Sequence, residues 1–195
     1  MLEKFQSYLK ERLAITDEQA KEATSCLKSK TIKKGAVLLS PGDLRSDNYF
    51  INEGLLRYFS IDEKGKEHII QFAPENWMIS DRNSSVFNEA SVFYIDAIEN
   101  TEALIVPSHF FVDIQKLLPH ILELNILMLH NSIRFMQKRI NMLLSATAEE
   151  RYLDFIKLYP NLTLRVPQWM IASYLGITPE SLSRVRKDLA KKHFK

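Results

Sequence analysis

Between Gln168 and Lys191, hydrogen-bonding and cationic side chains lie on an apolar frame whose spacing suits contact with a nucleic acid. Gln168–Leu175 reads as one short helix and Gly176 as a sharp turn. Thr178 reads as an N-cap with Pro179 at the first position of a second helix, which runs to about Lys191. Ile171, Leu175, Ile177, Leu182, Val185 and Leu189 are placed to lock two short helices at a steep angle, and Ala172 is small where they must approach. The other face of the second helix carries Glu180, Ser181, Ser183, Arg184 and Lys187. Arg184 can donate two bonds to guanine O6 and N7, and Glu180 can accept one from cytosine N4. Thr178, Ser181, Lys187 and Lys191 suit phosphates, which position a helix without reading sequence. Gln168 and Pro179, at the first positions of the two helices, complete the expected DNA-binding set. This is the pattern of a helix-turn-helix. The alternative is a helical hairpin that only packs, with its charges in solvent.

Charge is distributed accordingly. The 195 residues carry a formal net charge of +2, yet Pro179–Lys195 holds six cations (Arg184, Arg186, Lys187, Lys191, Lys192, Lys195) against Glu180 and Asp188. A basic end on a near-neutral body is expected of a DNA-reading tip. It is equally expected of a solvated helix terminus, where cations suit the dipole. No apolar run approaches the roughly 20 residues a membrane span needs, and the N-terminus lacks the basic-then-apolar order of a signal peptide. A cytoplasmic location is the expectation. The single cysteine, Cys26, excludes an internal disulfide and argues against a cysteine-held cluster or zinc site.

Upstream, the chain must supply a scaffold. Residues 2–29 read as helical, with Thr16 and Gln19 forming a capping box at the start of a second helix. From Thr31 to Val106 the pattern changes to short β-rich runs: Ala36–Leu39, Tyr49–Ile51, Leu55–Ile61, His68–Phe72, Val92–Ile98 and Ala103–Val106. Turn signals separate them at Lys34-Gly35, Pro41-Gly42-Asp43, Asn52-Glu53-Gly54 and Asp62–Gly65. Such a turn-dense stretch reads as a β-roll. Ser108 is placed to cap a short helix through Leu117, and Pro119 suits the first turn of the next. Trp77 and Trp169 read as packing residues.

From Pro119 to about Leu144 the apolar residues Leu122, Ile126, Leu129, Ile133, Met136, Ile140 and Leu143 alternate spacings of four and three. That is an a/d seam with isoleucine at a, and leucine or methionine at d. It favours a parallel two-stranded coiled coil and hence a homodimer. A second stripe (Leu124, Leu127, Phe135, Met142, Leu144) allows the same helix to pack on its own chain. The last stretch is helical with a break at Tyr159-Pro160-Asn161. The expected organisation is α+β: residues 1–118 a β-roll with N-terminal helices, 119–145 a dimerisation helix, and 146–195 a helix-turn-helix domain.

The run Ile171-Ala172…Leu175-Gly176-Ile177-Thr178…Glu180-Ser181-Leu182-Ser183-Arg184 resembles the DNA-reading motif of the cyclic AMP receptor protein/fumarate–nitrate regulator (Crp/Fnr) superfamily. Lys33-Lys34-Gly35…Pro41-Gly42-Asp43 is similar to the opening of that family's sensor β-roll. Phe50-Ile51…Glu53-Gly54-Leu55-Leu56-Arg57 and Gly65-Lys66-Glu67-His68 resemble its next hairpins, and Ala148-Glu149-Glu150-Arg151-Tyr152 its junction between dimer helix and DNA-binding domain. The resemblance implies a homodimer on a two-fold symmetric operator, regulating initiation through DNA bending or contact with RNA polymerase.

The departures define the rest. Cyclic-nucleotide-binding members present a Gly-Glu pair for the ribose and an Arg for the phosphate. Here the matching stretch is Glu75–Asp81, and Ser91 falls at the arginine. A buried phosphate without its Arg loses a charge-assisted bidentate partner, so cyclic AMP is not expected, and neither is an iron–sulfur cluster. No cofactor is expected; His68, His109, His120 and His130 have no spacing that singles out a haem ligand. Trp77, Phe87, Ser91, Phe93 and Tyr94 are the candidate pocket for an unknown small effector. Members often carry a β-hairpin wing after the reading helix; with His193-Phe194-Lys195 next, a wing is expected to be missing or minimal.

Two other classes of function compete. A sensor module whose C-terminal helices bind a protein partner shares every feature except the target of Arg184. An enzyme is disfavoured: no nucleophile elbow, phosphate-binding glycine loop, zinc spacing or Ser/His/Asp grouping occurs.

Overall fold

The computed structural model describes residues 2–44 and 47–193. Arg45, Ser46, Phe194 and Lys195, the last two in the expected basic end, lie outside the described residues. The order is α1 (Leu2–Leu13), α2 (Asp17–Thr24), β1 (Lys28–Ile32), β2 (Val37–Leu39), β3 (Asn48–Glu53), β4 (Leu56–Ile61), β5 (Glu67–Ala73) and β6 (Met78–Ile79). A single π turn (Asn83–Phe87), β7 (Tyr94–Ala97) and β8 (Thr101–Val106) follow. Then come α3 (Phe110–Asp113) with a 3₁₀ turn, α4 (Ile121–Ser145), α5 (Ala148–Leu158), α6 (Leu162–Arg165), α7 (Gln168–Leu175) and α8 (Pro179–His193). The expected α+β class is observed. The chain divides into two compact units: Met1–Ser60 with Ile70–His130, and Ile61–Ile69 with Asn131–Lys195.

Two four-stranded antiparallel sheets, ordered β1-β8-β3-β6 and β2-β7-β4-β5, form the roll. Alternation along β3 and β8 sorts two cores. Tyr49, Ile51 and Ala103 point between the sheets, with Leu39, Leu56, Ile79 and Ile95. Phe50, Leu104 and Val106 point outward under the helices, against Phe5, Leu9, Phe110, Ile121 and Leu124. A strand covered on both faces has no solvent side, and β3 is buried from Asn48 through Asn52. Its first polar side chain is satisfied there, Asn48 Nδ2 donating to Val106 O at 2.9 Å. The turn after β3 requires glycine. Gly54 has φ +97, and a Cβ there would lie 2.5 Å from Thr101 Oγ1.

The capping box forms as expected: Gln19 N–H donates to Thr16 Oγ1, and Thr16 N–H donates to Gln19 Oε1. Other details differ. The helical reading to residue 29 runs over β1, a lysine-rich, exposed strand whose pairing is decided by β8, in the register Lys28↔Ile105 to Ile32↔Thr101. Nothing in Lys28-Ser29-Lys30 alternates, as edge strands with lysines need not. The two-residue β6, paired to Tyr49 and Phe50, also has no sequence signal. Ser108 does not cap: α3 begins after His109, with no side-chain cap bond, and is one turn long.

Candidate nucleic-acid interface

The second unit builds its interface on an aromatic floor. Phe155 on α5, Tyr159 and Tyr174 on α7 form a triangle with ring centroids 5.4–5.7 Å apart. Ile171, Ala172, Leu175 and Leu182 are buried with them, while Ile177, Val185 and Leu189 are half-buried. The apolar spacing read from the sequence therefore does pack the two helices. A capping box on Thr147 and Glu150 starts α5. α7 ends at Gly176, whose φ of +66 is the left-handed cap glycine tolerates best. Thr178 Oγ1 accepts from Ser181 N–H at 3.2 Å, which makes it the cap of α8.

Along α8, Glu180, Ser183, Arg184, Lys187 and Lys191 are exposed at helical spacing, one stripe opposite Leu182. Gln168, Thr178 and Pro179 are at the helix starts, and Ser181 is half-buried, its hydroxyl bonded to Thr178. Arg184 and Lys187 make no ion pair among the described residues, and Lys191 is 3.9 Å from Asp188. Lys192, by contrast, binds both oxygens of Glu149 at 2.7 and 2.9 Å, which ties α8 to α5. Its own backbone N–H and the Thr178 side chain hold the Glu180 carboxyl below the usual glutamate range, so it is an anion at neutral pH. Trp169, expected to pack, is 42% exposed.

Three residues not singled out by spacing hold this arrangement. Arg139 Nη2 donates to the carbonyls of Ile69 and Tyr174, and its guanidinium covers the Tyr174 ring. Arg151 donates to the carbonyls of Ala146 and Leu175. Ser173 Oγ accepts from Ile69 N–H at 3.0 Å and donates to Glu67 O at 2.8 Å, completing hydrogen bonds that a strand edge leaves open. Arg139 carried no distinguishing signal: it is one of three cations, with Arg134 and Lys138, on a helix of mixed polar and apolar residues.

Of the seam, Ile126, Ile133 and Ile140 are 54–56% exposed, and Met136 is half-buried. Leu122 packs against the helix-covered core. Leu143 lies beside the Gly176 turn.

The five candidate effector residues are not brought together. Phe93 packs on Tyr58 and Tyr94 stacks on Phe59. Tyr58 and Phe59 are successive strand residues, so they face opposite sides of the sheet. Trp77 packs on the core between the sheets, and Phe87 is 66% exposed in the π turn. Ser91 is buried, with its hydroxyl bonded to the backbone of Phe93. Near it lies the buried carboxylate of Asp81, which accepts from Tyr58 Oη at 2.7 Å and from Ser84 N–H and Oγ. Burial pushes this carboxyl up, but the hydrogen bonds of Tyr58, Ser84 and Ser91 outweigh it and hold the group below the usual aspartate range. His68, His109 and His120 each lie at the surface beside a carboxylate: Asp62, Asp113 and Glu123.

A two-sheet roll, a long helix and a C-terminal helix-turn-helix together define the architecture of the Crp/Fnr transcription regulators. Known proteins similar to this chain belong to that same class. The chain is 26% identical over 175 residues to the Anaerobic regulatory protein of Pasteurella multocida (strain Pm70), covering 84% of this chain and 63% of that protein. It thus spans under two thirds of that relative's length. FixK2 from Bradyrhizobium japonicum superposes with a TM-score of 0.72 at 17% identity, covering 86% of each chain. A Crp/Fnr-family transcriptional regulator from Thermus thermophilus superposes with 0.61 at 18% identity, covering 85% of this chain and 87% of that one. No protein-family profile matches the chain. In sequence and in fold, the chain is similar to Crp/Fnr regulators.

Proposed function

We propose that this chain is a sequence-specific DNA-binding transcription regulator that acts as a homodimer on a palindromic operator. The observation that carries the reading is the exposed stripe Glu180, Ser183, Arg184, Lys187 and Lys191 on the second helix of a tightly packed helix-turn-helix. In this reading Arg184 and Glu180 meet base edges, while Gln168, Thr178, Pro179, Ser181, Lys187 and Lys191 lie along the backbone. Residues 1–118 serve as the sensor, 119–145 as the dimer helix and 146–195 as the DNA-binding domain. The exposed Ile126, Ile133 and Ile140 support pairing of two copies of α4, because three isoleucines a heptad apart lose most by facing water.

The sensor is degenerate toward cyclic nucleotides in this reading. Asp81 is already satisfied by Tyr58 and Ser84, and Ser91 stands where the resemblance expects an arginine. RNA polymerase is the expected further partner, and the site of action is the cytoplasm; among the described residues no helix is long and apolar enough to cross a membrane.

Selection of random duplexes by the purified protein tests the function. The expected result is a palindrome with half-sites about 10 bp apart, centre to centre, that Arg184→Ala fails to enrich. Absence of any enriched sequence at low salt, together with capture of a protein through Arg184, favours the alternative of helices that bind protein.

A further inference from the structure

The second unit contains a cavity of about 280 Å³ under α7, walled by α4, α5 and α7. Its apolar side is Phe135, Met142, Phe155 and Leu158. Its polar side is unbalanced: Arg134, Lys138, Arg139 and Arg151 face Asp154 as the one carboxylate of the lining, and Asp154 is taken by Lys138. Arg134 bonds the side-chain amide of Asn131, and Arg139 and Arg151 bond backbone carbonyls. None of the three guanidiniums has a carboxylate partner among the described residues. Arg139 and Arg151 are half-buried and Arg134 is exposed; a half-buried cation without an anion carries a desolvation cost that a bound anion nearby relieves. Phe135, Lys138 and Met142 project roughly half a turn around α4 from Ile133 and Ile140, so pairing through the seam leaves the cavity open.

We propose that this cavity binds a small amphipathic anion, an aliphatic or aromatic body bearing one carboxylate, sulfate or phosphate group. The apolar body lies on Phe135, Met142, Phe155 and Leu158, and the acid group meets the guanidinium of Arg134. The volume sits at the lower edge of the roughly 300–1,000 Å³ typical of small-molecule sites, which suits a short chain or a single aromatic system. The cavity also reaches Leu143 and Leu175, and the Leu143 side chain abuts the Gly176 turn. Occupancy of the cavity does not depend on the proposed DNA binding.

Titration calorimetry of the full chain with decanoate, decyl sulfate and decanol, without DNA, tests the site. Both anions bind with one site per chain, and decanol binds at least about tenfold more weakly, the loss of one charge-assisted contact. Arg134→Gln, at an exposed side chain, weakens anion binding about tenfold, and Met142→Trp and Leu158→Trp each abolish it while far-ultraviolet circular dichroism is unchanged. If one tryptophan variant fails to fold, the other decides. Decanol binding equal to decanoate, no binding of either anion by the folded protein, or undiminished binding in a folded tryptophan variant overturns the proposal. Failure to select any duplex sequence while the anions still bind overturns the DNA reading instead.

Discussion

Arg139 lies with its guanidinium carbon 3.6 Å from the centroid of the Tyr174 ring while donating to the Tyr174 carbonyl at 2.9 Å. One side chain thereby fixes both the face and the backbone of α7, and through Ile69 O it also bonds the start of β5. Arg139→Met is expected to cost about 2–3 kcal/mol, the sum of a desolvated cation–π contact and charge-assisted hydrogen bonds. Arg139→Lys recovers less than half of that, because an ammonium lacks the planar fork. Chemical denaturation of the two variants checks this; a lysine variant as stable as wild type removes the fork from the account.

Gly176 joins the two helices at φ +66, with Leu143 Cδ2 3.2 Å from where a Cβ would stand. Gly176→Ala is expected to destabilise by about 1–2 kcal/mol, since the left-handed conformation disfavours a side chain. Gly176→Asn costs less, asparagine being the next most tolerant residue there. Thermal midpoints of the pair rank the two effects.

On DNA, Arg184 and Lys187 are expected to differ in kind. Arg184→Ala loses about 1–3 kcal/mol on the selected sequence and relaxes preference at one position of each half-site. Lys187→Ala weakens all duplexes alike and reduces the salt slope by about 1 per protomer. Binding isotherms on matched and mismatched duplexes at several salt concentrations separate them.

Replacing Ile133 with Asp places a charge in the middle of the exposed row formed with Ile126 and Ile140. Sedimentation equilibrium is expected to show a dimer for wild type and a monomer for Ile133→Asp. The same change at exposed Leu164, outside that row, leaves the dimer intact. An unaltered dimer in Ile133→Asp places the contact elsewhere.

Asp81 makes acid stability a readout of the roll's interior. Its folded-state pKa is depressed, so its contribution is complete above the unfolded value of about 4 and is lost as pH falls through the lower folded value. Wild type is therefore expected to exceed Asp81→Asn by a constant margin from about pH 5 to 7, narrowing as the pH drops below about 4. Urea midpoints at each pH measure that margin; a gap that widens on acidification contradicts the assignment.

Much of the interface was legible because its signals are local. A glycine with positive φ, a threonine before proline and an apolar repeat of three and four are each set by neighbours along the chain, and the helix-turn-helix packs as they imply. The capping box at Thr16 and the turn at Gly54 were legible for the same reason. Signals that depend on a distant partner were not. β1 has no apolar alternation of its own and becomes a strand only by pairing with β8, far along the chain. The aromatic residues near Ser91 look like one pocket in sequence, yet pleating sends Phe93 and Tyr94 to different faces.

By itself, then, the sequence determined the types of most elements and the place of the helix-turn-helix, since periodicity, caps and glycine turns act over a few residues. Tertiary structure alone decided which cations stay available. Lys192 is spent on Glu149 and Lys138 on Asp154, while Arg184 and Lys187 remain unpaired by any described carboxylate. It also decided that Asp81 is satisfied internally and that Arg139 reaches Ile69 and Tyr174. The physical reason is range: conformational preference is written residue by residue, whereas an ion pair or a buried hydrogen bond exists only when folding brings both partners within about 3 Å.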